Sequence, residues 1–117
     1  MPVRTSFSRA WHPAGGTFMA KVGSTRLDSP GMTVPIHTHS GMEAFYTLTG
    51  ETCLESSKGV QTGHGPGHVN MIAGGLPMLL MATGNETRRG VVLIIHNISM
   101  PATTLDPDWK PKGLCTK

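Results

Sequence analysis

Residues 31–50 read Gly31-Met32-Thr33-Val34-Pro35-Ile36-His37-Thr38-His39-Ser40-Gly41-Met42-Glu43-Ala44-Phe45-Tyr46-Thr47-Leu48-Thr49-Gly50. The stretch alternates β-branched and aromatic residues with others and breaks at Ser40-Gly41, as two short strands joined by a turn do. Residues two apart in a strand point to the same face. His37 and His39 are therefore expected to project together into one interior, and Glu43, opening the next strand, can meet both imidazoles. Two His and one carboxylate on one side of an ion form a facial set that leaves coordination positions for water, substrate or O₂. On the same alternation Phe45 and Thr47 share the face of Glu43, while Tyr46 faces away.

The rest of the chain has the same texture. Its 15 glycines and 9 prolines punctuate 117 residues every few positions, and the segments between them are rich in Val, Ile, Thr, Phe and Tyr. Strands are predicted over 17–27, 33–39, 43–49, 52–55, 68–72, 78–82 and 91–95, with turns at 28–31, 40–41, 49–50, 56–59, 63–67 and near 83–85. Residues 1–16 read as an N-terminal arm, 17–99 as a barrel and 100–117, with Pro101, Pro107 and Pro111, as a tail lying on it. Glu51 and Glu55 are expected to face solvent.

Composition narrows the function classes. A length of 117 residues suits one domain with a real core. No run reaches the roughly 20 apolar residues of a membrane span, the longest being Val91 to Ile95. No signal peptide is evident at the N-terminus, which favours the cytoplasm, although the mature part of an exported protein would look the same. The net charge is +3, but only Arg88-Arg89 are adjacent among ten Lys and Arg. That pair reads as solvated surface, and no nucleic-acid partner is expected. The two cysteines, Cys53 and Cys115, permit a disulfide that could staple the tail. Without a visible export signal they are expected as unpaired thiols that folding does not require.

The spacing Gly31-x5-His37-x-His39-x3-Glu43-x6-Gly50 resembles the first signature of the cupin superfamily. A weaker likeness to the second signature follows. Gly67 opens it and Gly75 is kept, but Ala73, Met78 and Ala82 stand where a Pro, a metal-binding His and an Asn are usual. The two motifs cover residues 31–82, and 91–95 looks like the closing strand. The resemblance implies an all-β fold, a cupin jelly-roll barrel of two packed antiparallel sheets. It further implies one divalent metal ion per chain on His37, His39 and Glu43 (iron, manganese, nickel, zinc or copper), a small-molecule ligand or substrate, and a homodimer.

Met78 then has two readings, a soft thioether ligand or an apolar gap-filler, and the lining reading is preferred. Met32, Met42, Met71 and Met81 are expected to add to a soft cavity lining. His96 shares a face with Val92 and Ile94. If that face is the cavity it is the candidate catalytic acid or base, or a replacement metal ligand, and otherwise a solvent-satisfied His at the strand mouth. His64 and His68 read as surface, and His12 is uninformative. Three functions follow: a metal-dependent, dioxygenase-like enzyme, a redox-neutral isomerase or lyase using the metal as Lewis acid, and a non-catalytic binding module.

Overall fold

The computed structural model describes residues 3–11 and 17–116, with the backbone alone over 3–11. His12, with residues 1–2 and 13–16 of the segment read as an arm, lies outside the described residues. Among the described residues ten strands follow in chain order: β1 (Val3–Trp11), β2 (Phe18–Leu27), β3 (Thr33–Thr38), β4 (Glu43–Thr49), β5 (Glu51–Ser56), β6 (Gly59–His64), β7 (His68–Ile72), β8 (Met78–Thr83), β9 (Arg88–Asn97) and β10 (Thr104–Leu105). They form two five-stranded sheets, in the orders β1-β2-β9-β4-β7 and β10-β3-β8-β5-β6, with every pairing antiparallel. This is the all-β, two-sheet jelly roll expected from the sequence.

Alternation builds the interior. Along β9 every second residue, Arg88, Gly90, Val92, Ile94 and His96, is buried. Along β4, Glu43, Phe45 and Thr47 are buried, and Tyr46 is exposed as expected. Leu27, Phe45, Leu54, Leu80, Val92 and Ile94 are the centre of the core between the sheets. Gly31 and Gly50 hold positive φ, 87° and 72°, at the turns flanking the first motif, where glycine adopts the conformation without steric penalty.

Three strands escape the sequence pattern. β6 lies between segments read as turns, and its Val60, Gln61 and Thr62 are all exposed, so no alternation marks it. β1 occupies part of the stretch read as an arm and pairs with β2. β10 is two residues of the tail added to the edge of β3.

Three expectations about β5 and the tail are corrected. Glu55 is buried rather than solvated: its carboxylate accepts the backbone N–H of Lys112 at 2.5 Å and of Leu114 at 2.9 Å. Glu51 is half-buried and accepts the Thr83 hydroxyl at 2.5 Å. Cys53 and Cys115 are not free thiols but a disulfide closing a separation of 62 residues. One cause underlies the first and third. The segment around residues 112–115 lies over the outer face of β5, so Cys53 and Glu55 are covered although they point away from the core. A carboxylate buried there needs donors, and the backbone of the tail supplies two.

Opening this disulfide should leave a folded β-protein that is roughly 2–4 kcal/mol less stable, because the cross-link restricts a long loop in the unfolded chain. Urea unfolding with and without reductant checks this. Loss of cooperative unfolding in reductant would show instead that the staple is required for folding.

Candidate metal centre

β3 carries His37, and His39 follows just past its end. The ladder to β8 shifts register between Val34 and His37, and the irregularity lets Val34 and His37 line one cavity although they are three residues apart. The turn to β4 is tightly docked. A Cβ on Gly41 would come within 2.1 Å of the Ile95 carbonyl oxygen, while Met42 O accepts Ile95 N–H and His39 O accepts Gly75 N–H. β9 and the 74–75 loop thereby hold the His39–Glu43 spacing from two sides.

The three residues meet as expected. Their donor atoms all lie within 4.8 Å of one another, all three side chains are buried, and this is the one such cluster among the described residues. The two imidazoles pack edge to face. Each Nδ1 contacts a backbone carbonyl: His37 that of Pro35 at 2.7 Å, His39 that of Ala102 at 2.6 Å. A carbonyl only accepts, so both Nδ1 atoms carry the proton and both Nε2 lone pairs are free to ligate. His39 Nε2 lies 3.5 Å from Glu43 Oε2 and has no hydrogen-bond partner. An orphaned, buried nitrogen beside a carboxylate costs free energy unless a cation joins them, and two imidazoles with one carboxylate suit a divalent first-row metal. The donor set therefore fits the ion that the sequence implied.

Electrostatics separates the two imidazoles. Burial, aided by the charge of His39, lowers the pKa of His37 below the ordinary imidazole value, against the Pro35 carbonyl and Glu43. Burial acts on His39 in the same sense, but the Glu43 carboxylate and the Ala102 carbonyl outweigh it and raise its pKa. His37 is thus held neutral and ready to ligate, and His39 is the site where a proton competes.

The cavity beside the three donors has a volume of about 50 Å³, room for roughly four water-sized groups. Met78 lies opposite His37 in the β3–β8 ladder, is buried and lines the cavity. The other methionines do not line it: Met32 and Met71 are exposed, and Met42 and Met81 half-buried. His96 is buried on the expected face but is not among the lining residues. Its Nδ1 contacts the carbonyls of Asn97 and Met100, and its Nε2 has no partner. His64 and His68 are exposed.

Arg88 is the residue that the sequence reading missed. Far from being solvated surface, it has 0% exposure and lines the cavity. Arg89 alone is exposed. The signal was available: counting back by twos from His96 through Ile94, Val92 and Gly90 reaches Arg88 on the inward face.

By sequence, no protein-family model and no curated protein matches the chain. By structure, it is similar to an oxalate oxidase (TM-score 0.62, 20% identity, covering 75% of this chain and 46% of that one). It is also similar to the DMSP lyase DddQ of Ruegeria pomeroyi (0.58, 21%, 89% and 53%). A third likeness is to a cupin superfamily protein of Desulfitobacterium hafniense (0.52, 15%, 84% and 84%). The fold is that of a cupin. The chain spans about half the length of the oxalate oxidase it matches, and at these identities the likeness concerns the fold of the cupin barrel.

Metal affinity should rise with pH. A metal needs the free Nε2 pair of His39, whose pKa in the metal-free protein is raised. Below that pKa the affinity should fall by about tenfold per pH unit, and more steeply once His37 also protonates. Competition titrations with zinc between about pH 5 and 8 measure this slope. A flat profile would mean that no imidazole ligates.

Proposed function

We propose that the chain is a metal-dependent enzyme acting on a small molecule, with His37, His39 and Glu43 as the protein ligands of one divalent ion. The observation that carries this reading is the buried His39 Nε2, unpartnered and 3.5 Å from Glu43. Bound there, an ion supplies Lewis acidity and, if iron, a redox couple for chemistry with O₂. The chain's own residues do the rest. Pro35 and Ala102 orient the imidazoles. Phe45, Leu80, Val92 and Ile94 wall the cavity and keep bulk water out. Met78 fills the place of a usual fourth ligand with an apolar lining, which leaves the facial set open, and this favours the oxidative, dioxygenase-like reading.

A redox-neutral reading rests on His96. Its Nε2 is buried and unpartnered, as a free acid or base would be, but it does not line the cavity, so elimination or isomerisation would need the substrate or a water to reach it. Oxidase and lyase names both occur among the structural neighbours, so the fold favours neither chemistry. The disulfide supports an oxidising compartment over the cytoplasm expected from sequence, since cytosolic thiols are kept reduced. A free-thiol count on freshly isolated protein tests this.

Protein purified without an affinity tag should contain about one metal ion per chain, and His39→Ala should lower its affinity by about 100-fold or more while the fold persists. Elemental analysis gives the metal, and oxygen uptake by the iron-loaded protein with catechols, thiols and flavonoids separates oxidation from redox-neutral chemistry. Failure to load any divalent ion would leave the non-catalytic binding module as the reading.

The homodimer belongs to the same proposal. Tyr46, Val69, Met71, Val91 and Leu93 are exposed on the outer face of β4, β7 and β9, an apolar patch of the kind that marks protein interfaces. Val91→Lys should shift sedimentation toward a monomer, and an unchanged mass would place any interface elsewhere.

A further inference from the structure

Arg88 enters the barrel at the start of β9, and its guanidinium is held from several sides. Nε donates to the Thr52 hydroxyl at 2.7 Å, and Nη1 donates to the Thr25 hydroxyl. Thr52 is positioned in turn by Thr47 at 3.2 Å. The Phe45 ring lies beneath the guanidinium carbon, 5.6 Å from its centroid. Gly90 makes the space, since a Cβ there would stand 2.9 Å from Nη2 and 3.0 Å from the guanidinium carbon. The group is thus oriented by three strands and a glycine, as a binding group is.

What it lacks is an anion. Arg88 is fully buried, yet among the described residues no carboxylate forms an ion pair with it and its Nη2 has no hydrogen-bond partner. Burial lowers its pKa to about 10, against the pull of Glu43, so it is still a cation at neutral pH. Leaving a buried cation without a counter-charge is strongly unfavourable. Among the described residues Glu43 is the one carboxylate lining the cavity, and it is also the carboxylate of the metal set. With a divalent ion in place, the ion and Arg88 together outweigh that single negative charge. A neutral or cationic substrate would not correct the imbalance, whereas an anion would.

Size narrows the anion. Phe45, whose ring packs against the guanidinium, follows Glu43 by two residues on β4, and two strand residues advance the backbone by about 7 Å, so the cation and the metal set lie a short way apart along one wall of the cavity. A carboxylate spans such a gap with a short carbon chain, and the cavity of about 50 Å³ accepts little more.

We propose that Arg88 is a substrate-binding residue and that the cavity takes a short-chain carboxylate, one oxygen of which accepts from Arg88 Nη2. The inference rests on the metal reading for the position of the reacting end of the substrate, but not for the anion contact itself.

The experiment titrates metal-free and nickel-loaded protein with acetate, and with acetamide as the uncharged control, by calorimetry. Wild type should bind acetate saturably and acetamide about tenfold or more weaker, and Arg88→Gln should lose about tenfold or more in acetate affinity. Nickel affinity, measured separately, should be no weaker in Arg88→Gln, because the substitution removes a positive charge near a cation site. Equal acetate affinity in the two proteins, or equal affinity for acetamide and acetate, overturns the proposal. Nickel failing to bind either protein overturns the metal reading instead, and the metal-free acetate titration then decides Arg88 by the same difference. If Arg88→Gln does not fold, the ¹⁵Nε and ¹⁵Nη resonances of Arg88 in wild type decide. They should shift saturably with acetate and not with acetamide, and no shift overturns the proposal.

Discussion

Glu43 is a carboxylate buried inside a barrel, and its contact with His39 at 3.5 Å is the interaction on which the arrangement of the interior depends. A lone carboxylate in such surroundings would be expelled or neutralised. Here the chain surrounds it with cation-forming groups: two imidazoles whose Nδ1 atoms are already engaged, and a guanidinium further down the same face. Each of these is itself buried and needs support. That support reaches outward to Pro35, Ala102, Thr25 and Thr52, so the polar interior is one connected system rather than a set of separate residues.

The C-terminal segment is part of that system. Its Ala102 carbonyl fixes the tautomer of His39, its Met100 carbonyl contacts His96, and Thr104–Leu105 extends the sheet beside His37. Further on it is pinned twice more, by the Glu55 carboxylate and by the Cys53–Cys115 bond. These anchors lie on β5, in the sheet that also carries β3 and β8. Fixing the segment on the outer face therefore steadies the carbonyls that it presents at the cavity. An imidazole whose tautomer is set by a backbone carbonyl is only as well oriented as the backbone that carries it.

What could be read from the sequence, and what could not, follows the range of the interactions. His37, His39 and Glu43 were legible because a turn and a two-residue period bring them together within seven positions. β4 and β7 were legible to the residue because alternation and glycines bound them. Glu55 was misread because its partners, Lys112 and Leu114, are 57 and 59 residues away, and nothing local distinguishes a carboxylate that accepts them from a solvated one. The disulfide joins equally distant residues. β6 has exposed residues at positions where a half-buried strand would alternate, so its pairing with β5 left no mark on the pattern. Arg88 differs from these. The alternation that placed His96 inside also placed Arg88 inside, but a guanidinium beside a second arginine was read by its chemistry instead of by its phase.

That misreading bears on how the interior of such a barrel acquires specificity. The apolar walls provided by Phe45, Leu80, Val92 and Ile94 lower the local dielectric, and this strengthens every charge interaction within them. The same walls make an unpaired charge more unfavourable, so a buried guanidinium persists only where it is hydrogen-bonded and where its remaining N–H groups are not wasted. Thr25 and Thr52 meet the first condition with neutral hydroxyls, which orient the cation without cancelling its charge. A carboxylate in either place would have neutralised the cation and weakened its pull on an anionic ligand. The choice of threonine over an acid at these two positions leaves the positive charge of the barrel directed at whatever enters the cavity.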